Sequence, residues 1–130
     1  MKILQPSRWP RPKGYSNGVV ASGRTVFVSG MIGWDVDGKI VSPDFVAQVA
    51  QALRNAVEVL AEANAKPEHI VRMNWFVLDK KEYAGAYKQL GTVYREIMGS
   101  HFPAMTAVQV SSLIEDAARV EIEVTAVVPE

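Results

Sequence analysis

Two glutamates, Glu121 and Glu123, stand two residues apart in the run Val120-Glu121-Ile122-Glu123-Val124, where apolar and polar residues alternate. That alternation is the period of a strand, so both carboxylates project from one face of a sheet, roughly 7 Å apart by strand rise. If buried, like charges at that spacing oppose joint ionisation and raise one pKa. A carboxyl group poised near neutral pH can position or activate water as a general acid or base. Left in solvent, the same pair is simply two hydrated carboxylates. Few other residues offer chemistry of this kind. There are no cysteines, which excludes a thiolate nucleophile, a disulfide framework and a Cys-based zinc site. His69 and His101 are the only histidines, each two positions from a proline. Neither has metal-ligand spacing to a second histidine or an acid cluster, so both read as structural or solvated and no metal is expected. No Ser-His-Asp arrangement is apparent, and Ser29 is given no nucleophilic role. No cofactor is called for.

The elements that must position these residues follow from local pattern. Residues 1–14 hold Pro6, Pro10 and Pro12 among Arg8, Arg11 and Lys13, which predicts an extended arm rather than a helix. Two β runs, Tyr15 to Ala21 and Thr25 to Ile32, are joined by Ser22-Gly23, the spacing of a hairpin. A turn-rich loop from Gly33 to Ser42 precedes Ser42-Pro43-Asp44, which offers an N-cap, a proline at the first helical position and an early acid. Phe45, Val49, Leu53, Val57 and Leu60 then make a helical stripe ending before Pro67. Ile70 to Leu78 returns to period two, with Val71, Met73, Trp75 and Val77 on one side and Arg72, Asn74 and Phe76 on the other. A second helix is predicted from about Asp79 through Ile97. Gly85 and Gly91 inside it cost about 1 kcal/mol each relative to alanine, so close packing against a neighbour is expected there. Strands around Thr106–Val110 and Val120–Ala126 finish the chain.

The order ββαβαββ with two amphipathic helices predicts an α+β fold, a single mixed sheet covered on one face, in one domain over residues 1–130. On the other face, Phe27, Ser29, Met31, Glu121, Glu123 and Thr125 mix apolar and polar side chains, as a surface shared between subunits would. Fourteen basic and fourteen acidic residues give a net charge of zero and a pI of about 6.7, which disfavours a nucleic-acid partner. The N-terminus lacks the apolar core of a signal peptide and no run approaches a membrane span, so a cytoplasmic location is expected.

Phe102-Pro103-Ala104-Met105-Thr106-Ala107-Val108-Gln109-Val110, read with Val120-Glu121-Ile122-Glu123, Tyr15-Ser16 and Val28-Ser29-Gly30, resembles the RidA/YjgF family of imine and enamine deaminases. The resemblance spans about Gly14 to Val127. It implies a trimer with clefts between neighbouring subunits and a small-molecule substrate. It also implies that Glu121 orients the hydrolytic water, with Tyr15, Ser29, Gly30 and Ala107 around the substrate. Trp34 is a possible apolar wall, with core or interface packing as the alternative. Tyr87 is the nearest match to a family asparagine that approaches the cleft.

Two departures stand out. The family's proline before the tyrosine is replaced by Gly14, and the arginine after Phe-Pro-Ala, which grips the substrate carboxylate, is Met105. A guanidinium holds a carboxylate with a rigid fork, whereas a thioether offers only a flexible, uncharged surface. Three consequences are open: a cleft for uncharged or non-standard imines, replacement of the fork by Arg11, Arg24, Arg72 or Arg119, or a non-catalytic ligand-binding trimer. RNA cleavage, also associated with the family, fits the neutral charge least.

Overall fold

The computed structural model describes residues 1–130. Strand β1 (Lys2–Leu4) pairs antiparallel with β2 (Gly18–Val20) as a separate ribbon. The main sheet has four strands, β3 (Arg24–Met31), β4 (Ile70–Val77), β5 (Ala104–Gln109) and β6 (Val120–Val128), in the spatial order β3-β6-β4-β5. Only β4 and β5 are parallel. Their connection carries helices α2 (Lys80–Gly85) and α3 (Tyr87–Met98), and α1 (Phe45–Glu62) links β3 to β4, with a 3-10 turn at Pro67–His69 before that strand. The α+β fold and the mixed sheet are as the pattern predicts, and α1 and α3 pack together over one face.

The core is one cluster of 22 buried residues. From β6 it takes Val120, Ile122, Val124, Ala126 and Val128, every second residue, as a strand with one covered face requires. Helix α1 contributes Phe45, Val49, Leu53 and Leu60 of the expected stripe, with Val57 partly buried against them. Gln48 is a polar member of this face and 0% exposed. Its amide donates to the carbonyls of Ser42 and Ala117 (2.8 and 3.1 Å) and accepts from the Arg119 N–H (2.7 Å). A buried amide satisfied three ways locks α1 to the start of β6.

Several expectations are corrected. The N-cap is Asp44, whose carboxylate accepts from the Ala47 N–H, while the Ser42 hydroxyl accepts from Asp44 N–H. The Ser22-Gly23 link is not a hairpin, since β2 pairs with β1 and β3 pairs with β6. Gly23, at φ +143°, is needed for a close approach: a Cβ there would lie 2.1 Å from the Val128 carbonyl oxygen. The extended arm therefore supplies a strand of its own, and the sheet is accompanied by a second, two-stranded one. The single helix expected from Asp79 to Ile97 breaks at Ala86 (φ −101°, ψ 14°) into α2 and α3. Gly85 has no heavy atom near a would-be Cβ and Gly91 meets only the Arg95 guanidinium, at 3.5 Å, so neither marks close helix packing. Finally, Met31 belongs to the core rather than the open face, because an irregularity between Val28 and Met31 shifts the side-chain alternation of β3.

Candidate functional site

Met105 and Ala107 sit opposite Met73 and Trp75 in the parallel β4/β5 register and face the helices. There they floor a cleft of about 670 Å³. Tyr15 walls one side of it, and Tyr83, Tyr87, Leu90 and Tyr94 of the helices wall the other. The aromatic rings brace one another. Trp75 meets Tyr83 edge-on at 6.0 Å between centroids, Tyr83 meets Tyr87 at 6.2 Å, and Tyr94 stacks on Phe102 at 5.2 Å. Burial pushes the Tyr83 phenol above its ordinary pKa, with Tyr87 adding to the effect, and burial does the same more strongly to Tyr94. The Tyr94 hydroxyl donates to the His101 carbonyl at 2.7 Å.

Tyr15 is held in place by its neighbours. The Ser16 N–H donates to the Pro103 carbonyl at 2.9 Å and its hydroxyl donates to that of Phe102, so this segment is stapled beside β5. Gly14 precedes it at φ +82°, a conformation closed to proline, whose ring fixes φ near −65°. Gly14 thus turns the chain toward the cleft by a backbone that proline could not adopt.

Glu121 lies on the other side of the sheet. It alternates with the buried Val120 and Ile122 and pairs across β4 with Phe76. Its carboxylate sits directly over Gly30: a Cβ on that glycine would fall 2.0 Å from Oε2. Only glycine admits the carboxylate there. Glu123, on the same face, accepts a hydrogen bond from the Asn74 amide at 2.8 Å. Ser29 is exposed beside Gly30. Phe27 on the same strand is 79% exposed, an apolar ring left open on this face.

The structure therefore divides the sequence-derived residues into two sets. Tyr15, Tyr87, Met105 and Ala107 share the helix-side cleft; Ser29, Gly30 and Glu121 gather on the open face. Trp34 joins neither lining. Its N–H donates to the Ile32 carbonyl and its own carbonyl accepts from Asn55, in the loop after β3. The histidines serve local structure: His69 Nδ1 accepts from the Lys66 N–H at 2.9 Å, and His101 Nε2 is hydrogen-bonded to the Ile70 carbonyl at 2.6 Å, which makes it the donor. Of the four arginines weighed as replacements at position 105, none lines this cleft. Arg119 instead forks onto Glu82, with its Nε 2.9 and 3.0 Å from the two carboxylate oxygens, and that hydrogen bonding raises its pKa further. Sequence reasoning passed over Arg95, Lys88 and Lys13, which do line it, and of the tyrosine stripe it named only Tyr87 as approaching the cleft. The spacing of Tyr83, Tyr87 and Tyr94 was the available signal, because three amphipathic rings on one stripe suit a wall that is partly wet.

Comparison with known proteins agrees with this architecture. A family model described as endoribonuclease L-PSP matches residues 8–128. A Capra hircus protein named 2-iminobutanoate/2-iminopropanoate deaminase is 31% identical over 127 residues, covering 97% of this chain and 89% of its own. Among solved structures, a Yersinia pestis protein of the conserved Rid protein family, YyfB, itself of unknown function, superposes with a TM-score of 0.84 at 30% identity, covering 98% of both chains. E. coli TdcF, solved with bound serine, gives a TM-score of 0.71 at 28% identity over 98% of this chain and 99% of its own. No helix here is long and apolar enough to cross a membrane. With a family model spanning nearly all of its length and a Rid-family structure matching its fold from end to end, the chain belongs to the RidA/YjgF family.

Proposed function

We propose that this protein hydrolyses reactive imines, or their enamine tautomers, at sites completed by neighbouring subunits of a trimer. Its substrates are uncharged or non-standard ones that do not rely on an arginine at position 105. The observation that carries this reading is the seating of the Glu121 carboxylate on Gly30, on the face opposite the aromatic cleft. Each chain presents both halves of a site, on faces that cannot meet within one copy. Relatives named as imine deaminases support the reaction class.

In that reaction water adds to the imine carbon, forming a C–O bond as the nitrogen takes up a proton. The carbinolamine then loses ammonia as the C–N bond breaks and the carbonyl forms. Glu121 orients the water, accepts its proton and passes it to the nitrogen as the carbinolamine forms, then takes the carbinolamine's hydroxyl proton and delivers it to the departing nitrogen. Backbone amides near Gly30 and Ala107 hold the substrate, with Tyr15 as a wall or hydrogen-bonding partner.

The test follows the decay of imines generated in place by an amine or amino acid oxidase. Glu121→Gln is expected to abolish acceleration while its circular dichroism and melting temperature stay close to wild type. A variant as active as wild type would defeat the mechanism. A second reading, a binder without turnover, is favoured by the serine found in the E. coli relative, which is not an imine. Saturable binding with no imine acceleration by wild type would select it.

A further inference from the structure

The cleft lining is lopsided in charge. It includes three cationic residues, Lys13, Lys88 and Arg95, and no acidic one, in a chain whose formal net charge is zero. Arg95 is exposed on the last turn of α3 and makes no ion pair; the one salt bridge of the structure joins Arg119 and Glu82. Its guanidinium lies back along its own helix over Gly91, 3.5 Å from where a side chain would begin. A Cβ at that position would meet the guanidinium only in ordinary van der Waals contact, so the arginine's place along the helix does not depend on the glycine.

A free guanidinium at the mouth of an aromatic box is a forked donor lacking its acceptor. We propose that Arg95, assisted by Lys88, binds an acidic group of the ligand, and that the ligand is an aromatic or extended apolar carboxylate whose body lies among Tyr83, Tyr87 and Trp75. The charge lost from β5 at Met105 is thereby supplied from α3, from a direction that suits a bulkier molecule. Apolar flooring by Met105 and Ala107 favours the body, and the cationic rim fixes which end faces outward. The proposal narrows the non-standard substrates of the preceding section to acids of this shape, and so rests on that cleft being the substrate's; the binding itself requires no turnover.

The probe is 3-phenylpropionate, with 3-phenylpropanamide and acetate for comparison, titrated by calorimetry into wild type, Arg95→Gln, Arg95→Lys and the remote control Lys39→Gln. Wild type and the control are expected to bind 3-phenylpropionate best, and more weakly as salt rises. Arg95→Gln should lose roughly tenfold in affinity, the lower end for a charged hydrogen bond, and Arg95→Lys should recover part of it. The amide should bind more weakly and be indifferent to Arg95. Equal binding of acid and amide, or an Arg95→Gln variant that binds the acid like wild type, overturns the proposal. Binding that depends on Arg95 in a protein that accelerates no imine overturns the deaminase reading and leaves this one standing. Imine turnover with no role for Arg95 does the reverse.

Discussion

Met105 gives the cleft an uncharged floor. It packs partly buried against the core cluster, at the strand position that the resemblance matches to a family arginine. A methionine there accepts many shapes and no charge in particular. Met105→Arg should shift preference toward imines of small carboxylated amino acids. The ratio of kcat/KM for carboxylated over uncharged imines is expected to rise by at least tenfold, because charged hydrogen bonds contribute about 1.5–3 kcal/mol. Some stability would be lost, since the new guanidinium enters a partly apolar floor. Steady-state rates on the two imine classes decide it: an unchanged ratio in a folded variant means position 105 does not meet the substrate. Gly30 limits the site from the other side. No side chain larger than hydrogen fits under Glu121, so the carboxylate's placement is set by a residue that contributes only its absence.

At the scale of elements, one polar path through the packing links α1, the start of β6 and α2. Gln48 of α1 holds the backbone of Arg119 at the entrance to β6, and the Arg119 side chain forks onto Glu82 of α2, the neighbour of the cleft residue Tyr83. Gln48→Leu keeps the volume but strips partners from one N–H and two carbonyls. Each orphan costs about 1–3 kcal/mol, and because all three are only part-buried a loss of about 3 kcal/mol is expected, read by urea denaturation. A loss below about 0.5 kcal/mol, the size of an ordinary surface change, would show that water replaces the amide. Much of this level was legible in the sequence. The Ser42-Pro43-Asp44 run and the spacing of Phe45, Val49 and Leu53 announce α1, though not which residue caps it, and the alternation through Val120–Ala126 announces β6, because these are local signals. The pairing of Lys2 with Val20 was not legible, since a register is chosen by contacts distant in sequence. Nor was the break at Ala86, where no proline or charge interrupts the tyrosine stripe. The shift before Met31 belongs with these: β3 reads as a plain strand until β6 fixes its register.

For the whole molecule, the proposed reaction calls for assembly, because the residues it uses lie on both faces of the sheet. The helix-side cleft has the walls but no carboxylate; the open face has Glu121 but nothing to hold a substrate, and it exposes Phe27 beside it. If neighbouring subunits complete each site, two dead variants should rescue each other. Glu121→Gln removes the water-orienting group and leaves the cleft; Ala107→Trp fills the cleft and leaves the carboxylate. Denatured together in equal amounts and refolded, they form mixed trimers in which some interfaces pair an intact cleft with an intact Glu121. With random assortment roughly a quarter of sites are restored, because each site draws two independent halves from a closed ring. The imine assay on the mixture, against each variant refolded alone, measures this directly. Activity near that fraction locates the reaction between subunits. A mixture no more active than its parts, while sedimentation shows that mixed trimers formed, would return both halves to a single chain, and would require the segment carrying Tyr15 or the β3 edge to move across the sheet.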